Sequence, residues 1–266
     1  YQVVRDRHGR KETTMRVDTY NESQPAWVDL ATPDLRGMIS LYGELLGWQS
    51  TQETRGSDPD YHVQSLGDAA VAAIYRQPRV EASTGIPPYW LTYFTVSDLD
   101  AAVTRATDAG GEVLIPATDI PGAGRMARVA EPGHAAIVLW QAGELQGAGV
   151  INESGATAWY ELQTGDDERA AAFMKAVLNI DTVPSDGGNY QLLQLNGENI
   201  GSLRRIPYYL TPRLIPFFQV DDVDATLNVA GPKGCNILAA PSDEPMGRVC
   251  TLQDPQGAPF GLITPR

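Results

Sequence analysis

The residues best suited to bind metal are scarce: the 266-residue chain holds three histidines, His8, His62 and His134, and two cysteines, Cys235 and Cys250. A catalytic divalent ion takes three or more converging nitrogen, oxygen or sulfur ligands. A metalloenzyme with two imidazole-built sites would need more histidines than this. The cysteines lie fifteen residues apart with no second pair, so they form neither a CxxC site nor a disulfide framework. They read as reduced core thiols of a cytoplasmic protein. What recurs instead is a carboxylate two residues after a tryptophan, in Trp27-Val28-Asp29-Leu30 and again in Trp159-Tyr160-Glu161-Leu162. Residues two apart on a strand share a face, which sets Asp29 beside the Trp27 indole and Glu161 beside that of Trp159. Two roles are open to such a group. It can accept hydrogen bonds from backbone or indole N–H groups, or act as a general base whose pKa is raised by apolar surroundings. Arg204-Arg205 followed by Tyr208-Tyr209 is a candidate rim for an acidic or quinone-like ligand, with plain surface solvation as the alternative. Gly124-Arg125 and Gly247-Arg248 could close over a ligand or serve the fold, and His134 reads as an exposed turn residue.

The elements that position these residues come from a duplication. The Trp27 and Trp159 segments, with Asp34 and Asp166 downstream, match at an offset of 132. Val96, Asp98 and Asp100-Ala101 match Val220, Asp222 and Asp224-Ala225 at 124, and Gly124-Arg125 with Glu131-Pro132 matches Gly247-Arg248 with Asp254-Pro255 at 123. Three matches in one order, drifting only as loops drift, make two homologous halves. Residues 1–23 are set outside the fold as an N-terminal extension. Domain one is placed at 24–142, a glycine-punctuated linker at 143–155 and domain two at 156–266. Within each half the pattern strand, helix, three strands occurs twice. In the first module an alternating strand covers 26–32, and Leu35, Ile39, Tyr42 and Leu46 fall at helical spacing after Asp34. Extended segments follow near 48–54, 61–66 and 69–76, and Gly67-Asp68 marks a hairpin. The predicted class is α+β: four βαβββ modules forming two tandem domains with curved mixed sheets.

Composition excludes other partners. A formal net charge of −13 with no basic cluster disfavours nucleic acid and anionic membrane surfaces, and no run approaches the roughly 20 apolar residues that span a bilayer.

The duplicated module, the Glu131-Pro132 and Asp254-Pro255-Gln256-Gly257 turns and the strand Ala136-Ile137-Val138-Leu139-Trp140-Gln141 resemble the vicinal oxygen chelate superfamily of glyoxalases, bleomycin-resistance proteins and dioxygenases. Within it the chain is similar to two-domain actinobacterial proteins, among them a mycobacterial culture-filtrate antigen and streptomycete antibiotic-pathway proteins often labelled hydroxylases. The resemblance implies glyoxalase-like domains whose sheets curl into cups, with metal ligands projecting from set strand positions. Those positions fall here on Trp27, Leu91 and Val138 in the first half and on Trp159, Ile215 and Gly261 in the second, none of which coordinates an ion. No metal and no cofactor is therefore expected. Strand alternation then lines the first cup with Trp27, Asp29, Leu91, Tyr93, Thr95, Val138 and Trp140. It lines the second with Trp159, Glu161, Ile215, Phe217, Gln219 and Ile263, and Arg204 lies near the rim. An aromatic wall with one carboxylate suits a flat, largely apolar ligand.

The expected function is metal-independent binding of an aromatic natural product in antibiotic biosynthesis or self-resistance. The alternative is a cofactor-free enzyme, or partner of an oxygenase, working through Asp29 or Glu161; a metal-dependent lyase or dioxygenase is the weaker rival. Homodimers are common in the superfamily, but no patch in the sequence demands one.

Overall fold

The computed structural model describes residues 4–5, 11–12, 16–55, 58–186 and 190–266. A short ribbon of β1 (Val4–Arg5) and β2 (Lys11–Glu12) precedes the modules. The first module runs β3 (Pro25–Thr32), α1 (Leu35–Leu46), β4 (Gln49–Arg55), β5 (Asp58–Leu66) and β6 (Ala69–Arg76). After a one-turn helix α2 (Arg79–Ser83), the second runs β7 (Tyr89–Thr95), α3 (Leu99–Asp108), β8 (Glu112–Ile120), β9 (Gly124–Ala130) and β10 (Ala136–Ala142). The second half repeats the plan with β11 (Thr157–Thr164), α4 (Asp167–Leu178), β12 (Asp181–Pro184), β13 (Gln191–Leu195) and β14 (Glu198–Arg205). Then come β15 (Arg213–Gln219), α5 (Val223–Ala230), β16 (Asn236–Glu244), β17 (Gly247–Gln253) and β18 (Pro259–Pro265). The periodicity locates each module element to within a few residues. It does not reveal α2, a turn too short to carry a helical period.

Each half is one eight-stranded mixed sheet, in the order β4-β5-β6-β3-β7-β10-β9-β8 and β12-β13-β14-β11-β15-β18-β17-β16. The two modules of a half are joined by their first strands, β3 against β7 and β11 against β15, both antiparallel. The fourth strand of each module lies parallel beside its first. The modules thus pair within a half.

Four aspartates open the four long helices by one device. Asp34, Asp98, Asp166 and Asp222 each accept a hydrogen bond from the backbone N–H three residues on, which satisfies an otherwise orphaned donor. Pro232 sits in a 3-10 turn, Gly231–Lys233, that follows the shorter α5, where a proline cannot continue the α-helical hydrogen bonding.

The helices and the convex faces of both sheets form one core. Val28 and Leu30 point into it from β3 and Leu162 from β11, together with residues of α1, α3 and α4. At its centre Tyr42, Trp48 and Trp90 of the first half meet Phe218 and Phe260 of the second, with ring centroids 5.2–6.5 Å apart. Polar groups buried there are paired across the halves or to the segment that joins them. The Tyr42 hydroxyl donates to Asp254 Oδ2 at 3.1 Å, Thr164 Oγ1 to Glu131 Oε1 at 3.0 Å, and the Trp48 indole to the Gly155 carbonyl at 2.7 Å. Unpaired, each would forfeit about 1–3 kcal/mol.

The structure differs from the expectation for residues 1–23 at their C-terminal end. Val17 N–H donates to Gly149 O, the Tyr20 hydroxyl to Ala148 O, and Ser23 N–H to Thr95 O, while Arg16 pairs with Asp68 at 2.5 Å. The segment from Arg16 lies on the fold because these backbone donors find acceptors there. The 143–155 linker is likewise pinned, by Ala148 N–H to Ala26 O and Gly155 N–H to Gln219 O. His8 falls outside the described residues. Among the described residues no helix is long and apolar enough to cross a membrane.

Candidate functional site

The concave face of the first sheet carries a cavity of about 210 Å³. Trp27 and Asp29 on β3 face it, as do Tyr93 on β7 and Trp140 on β10, because the ladder register sets Trp27 opposite Tyr93 and Trp140 one pleat from Val138. Tyr61, Tyr75, Met126 and Leu145 complete the wall. Tyr61 and Tyr75 stack at 6.1 Å, Tyr93 meets Trp140 edge-on at 6.0 Å, and the Trp27 indole donates to the Tyr61 hydroxyl at 3.2 Å. Asp29 is 1% exposed. Its Oδ2 accepts the Tyr93 hydroxyl at 2.7 Å, and Oδ1 has no hydrogen-bond partner among the described residues. Burial pushes its carboxyl up to about 7, against the smaller opposing pull of the Tyr93 hydrogen bond and the Arg128 charge.

The extra helix α2 is tied to β7 and β9 of the same sheet. Glu81 pairs with Arg128 at 3.1 Å and accepts the Tyr89 hydroxyl at 2.5 Å, while the Arg128 guanidinium lies 4.5 Å from the Tyr89 ring centre. The charge of Arg128 is thus matched locally.

The second sheet carries a larger cavity, about 520 Å³, lined in part by Trp159, Glu161, Arg204, Arg213 and Phe217. Glu161 is held on both sides: Arg204 Nε donates to Oε2 at 3.2 Å and Gln163 to Oε1 at 2.7 Å. Arg204 also sits 5.2 Å over the Tyr190 ring, and Arg213 Nε donates to Gln163 Oε1 at 3.1 Å. Gly261 makes room for Phe217, since a Cβ there would stand 2.2 Å from the ring.

Trp27, Asp29, Tyr93 and Trp140 therefore converge in one cavity, and Trp159, Glu161, Phe217 and Arg204 in the other. Leu91 and Val138 are buried on the cup face by register but lie outside the cavity wall. Ile215 lies beneath Trp159 and Phe217 in a small apolar cluster with Ile263. Gln219 does not line the cavity; its backbone ties to Gly155 and Ala156. Thr95 is engaged by the Asn21 carbonyl. The Tyr208-Tyr209 pair is exposed and packs on itself at 5.7 Å without lining the cavity, although Arg205, Pro207 and Leu210 around it do. Arg125 and Arg248 serve the fold: each binds an aspartate in the first turn of its own module's helix, Asp100 at 3.1 Å and Asp224 at 2.5 Å. His134 is an exposed turn residue with φ 78°. Both cysteines are buried and unpaired. Sequence reasoning missed Tyr61, Tyr75 and Arg213; the 124-residue offset, which aligns Tyr89 with Arg213, contained the signal for the last.

Residues 24–139 match the family described as the Glyoxalase/Bleomycin resistance protein/Dioxygenase superfamily. CFP32 of Mycobacterium tuberculosis, provisionally named a glyoxylase, is 38% identical over 252 residues, spanning 92% of this chain and 96% of that protein. The chain belongs to this superfamily. Another relative is the anthracycline biosynthesis protein DnrV of Streptomyces peucetius, 31% identical over 255 residues, 90% of this chain and 92% of that one. The superfamily fold recurs in the Mn(II)-bound glyoxalase of Novosphingobium aromaticivorans, with TM-score 0.65, 15% identity and coverage of 91% and 82% of the two chains. It recurs also in the 2,3-dioxygenase LapB of Pseudomonas sp. KL28, with TM-score 0.64, 16% identity and coverage of 92% and 93%. A divalent ion of the kind bound by the glyoxalase does not fit the donors present here. No three His, Cys, Asp or Glu side chains converge among the described residues, Asp29 stands among phenols and indoles, and Glu161 is committed to Arg204.

Proposed function

We propose that the chain binds an aromatic small molecule of an antibiotic pathway, for biosynthesis or self-resistance, without a metal ion, in the reducing cytoplasm that two unpaired thiols suit. The relatedness to an anthracycline biosynthesis protein supports the pathway class. The observation that carries the reading is the first cavity: indoles and phenols around one buried carboxylate with an unpartnered oxygen. A flat ring gains stacking area against Trp27, Tyr93 and Trp140. A hydroxyl on that ring gives Asp29 Oδ1 the donor it lacks, and leaving that acceptor unpaired is costly. A cavity of about 210 Å³ takes one end of a polycyclic ring system rather than the whole.

A second reading rests on Asp29 itself. A carboxyl pushed up to about 7 beside a bound hydroxyl or enolisable carbon suits proton transfer near neutral pH. In that case the protein is a cofactor-free enzyme or an oxygenase partner.

Titration of purified protein with polycyclic hydroxyquinones, followed by tryptophan fluorescence and equilibrium dialysis, tests the binding reading. Saturable quenching is expected, and the absence of quenching by every such quinone would sink it. Asp29→Asn then separates the two readings. A binder keeps most of its affinity, whereas an acid/base enzyme loses turnover by about 10²-fold or more. Elemental analysis of the same preparation is expected to find substoichiometric divalent metal.

A further inference from the structure

The two cups are built on one register, so their walls can be matched strand by strand. In the first, Ala31 of β3 stands opposite Tyr89 of β7 and Tyr75 of β6. In the second, Gln163 of β11 stands opposite Arg213 of β15 and Arg204 of β14. Two phenols of the first cup are therefore replaced by two guanidinium groups in the second.

The charges of those groups are not balanced alike. Arg204 is spent on Glu161. Arg205 reaches Asp167 at 3.5 Å from an exposed position. Arg213 forms no ion pair among the described residues; its Nε is turned to the neutral amide oxygen of Gln163. It is nonetheless half-buried, and burial pulls its pKa down while the charge of Glu161 supports it. The lining of the cavity contains three arginines, Arg204, Arg205 and Arg213, against two glutamates, Glu161 and Glu244, in a chain whose net charge is −13. A partly desolvated cation without a counter-ion is costly to keep. It becomes favourable when an anion supplies the missing charge and accepts two parallel N–H groups. The rest of the wall offers apolar and aromatic side chains, among them Trp159, Phe217, Leu238, Met246 and Val249, beside the polar Ser202, Ser242 and Thr251. At about 520 Å³ the cavity lies in the range of sites for drug-sized ligands.

We infer that the second cavity is a separate binding site for a carboxylate-bearing aromatic molecule, with the free face of the Arg213 guanidinium as the anion anchor and Trp159 and Phe217 as the ring wall. The Arg204–Glu161–Gln163–Arg213 chain holds that guanidinium in place: Gln163 donates to Glu161 and accepts from Arg213, so Arg213 is oriented without being neutralised. The two halves then differ in ligand chemistry, a hydroxyl donor in the first and an anion in the second. The assignment stands on the second cavity alone and survives failure of the first-cavity reading.

The test compares anthraquinone-2-carboxylate with its neutral 2-carboxamide by calorimetry and by quenching of Trp159. The wild type is expected to bind the carboxylate about tenfold or more tightly than the amide, as a charge-assisted pair in a half-buried site predicts. Arg213→Gln should erase that preference, Arg213→Lys should restore part of it, and Trp159→Phe should remove most of the quenching. Circular dichroism and thermal melting establish that each variant is folded. Equal affinity for the two compounds, binding of neither, or a preference that survives in folded Arg213→Gln overturns the assignment. Asp29→Asn supplies the contrast: it should leave the carboxylate preference intact, and loss of the preference there would place the anion in the wrong cup.

Discussion

Asp29 and Glu161 occupy matched positions and have become different groups. Glu161 gains an arginine and a glutamine; Asp29 gains a tyrosine hydroxyl on one oxygen and nothing on the other. The sequence shows the match, since each lies two positions after its tryptophan. It does not show the divergence, because Arg204 and Tyr93 arrive from strands distant in the chain. One consequence concerns pH. The folded-state pKa of Asp29 is raised to about 7 by burial, so between the ordinary aspartate value near 3.9 and about 7 the folded protein holds a proton that the unfolded chain has released. This residue's contribution to stability is fully present below the ordinary value and is lost as pH rises through about 7. Asp29→Asn removes the ionisation. Its melting temperature relative to wild type should therefore climb between pH 5 and pH 8, and a difference that stays flat over that range would contradict the raised pKa.

Among the elements, the strands set which side chains share a face, and the cup walls follow from that alternation. Trp27 and Asp29 point into the cup while Val28 and Leu30 point into the core. That much was legible, since a period of two needs only local sequence. The tyrosines of β5 and β6 were not, because their place in the wall depends on the parallel pairing of β6 with β3, which no local signal specifies. Helix α2 was also missed, because a single turn carries no helical period; its Glu81 pairs with Arg128 of β9. Gly261 shows how one backbone position shapes the other cup. Its Cβ would collide with the root of the Phe217 ring, so Gly261→Ala must displace the ring into the cavity or strain β18. We expect a loss of about 1–3 kcal/mol in denaturant unfolding, the usual cost of overpacking, together with weaker quenching of Trp159 by ligand. Unchanged stability and binding would mean the strand yields freely there.

For the whole molecule, the two halves are one folding unit rather than beads on a linker. Their convex faces share the Tyr42, Trp48, Trp90, Phe218 and Phe260 cluster, and buried acids reach across: Asp254 to Tyr42 and Glu131 to Thr164. A chain ending at residue 142 would expose that apolar face. Urea unfolding of the full chain should accordingly show a single transition, coincident by tryptophan fluorescence and circular dichroism. Phe218→Ala should lower its midpoint by the equivalent of about 3–5 kcal/mol without splitting it. Two resolved transitions would show that the halves fold independently.

The sequence by itself determined the duplication, the βαβββ order and the superfamily. Each of these is written in residue types at fixed spacing, and local periodicity carries it. Tertiary structure decided which modules pair, how the cups close, and, among the described residues, which carboxylate oxygen lacks a hydrogen-bond partner and which cavity arginine lacks an ion pair. Those outcomes depend on distances between strands far apart in the chain. Hydrogen-bond pairing and desolvation act over a few ångströms in space, and residue spacing along the chain does not fix such distances.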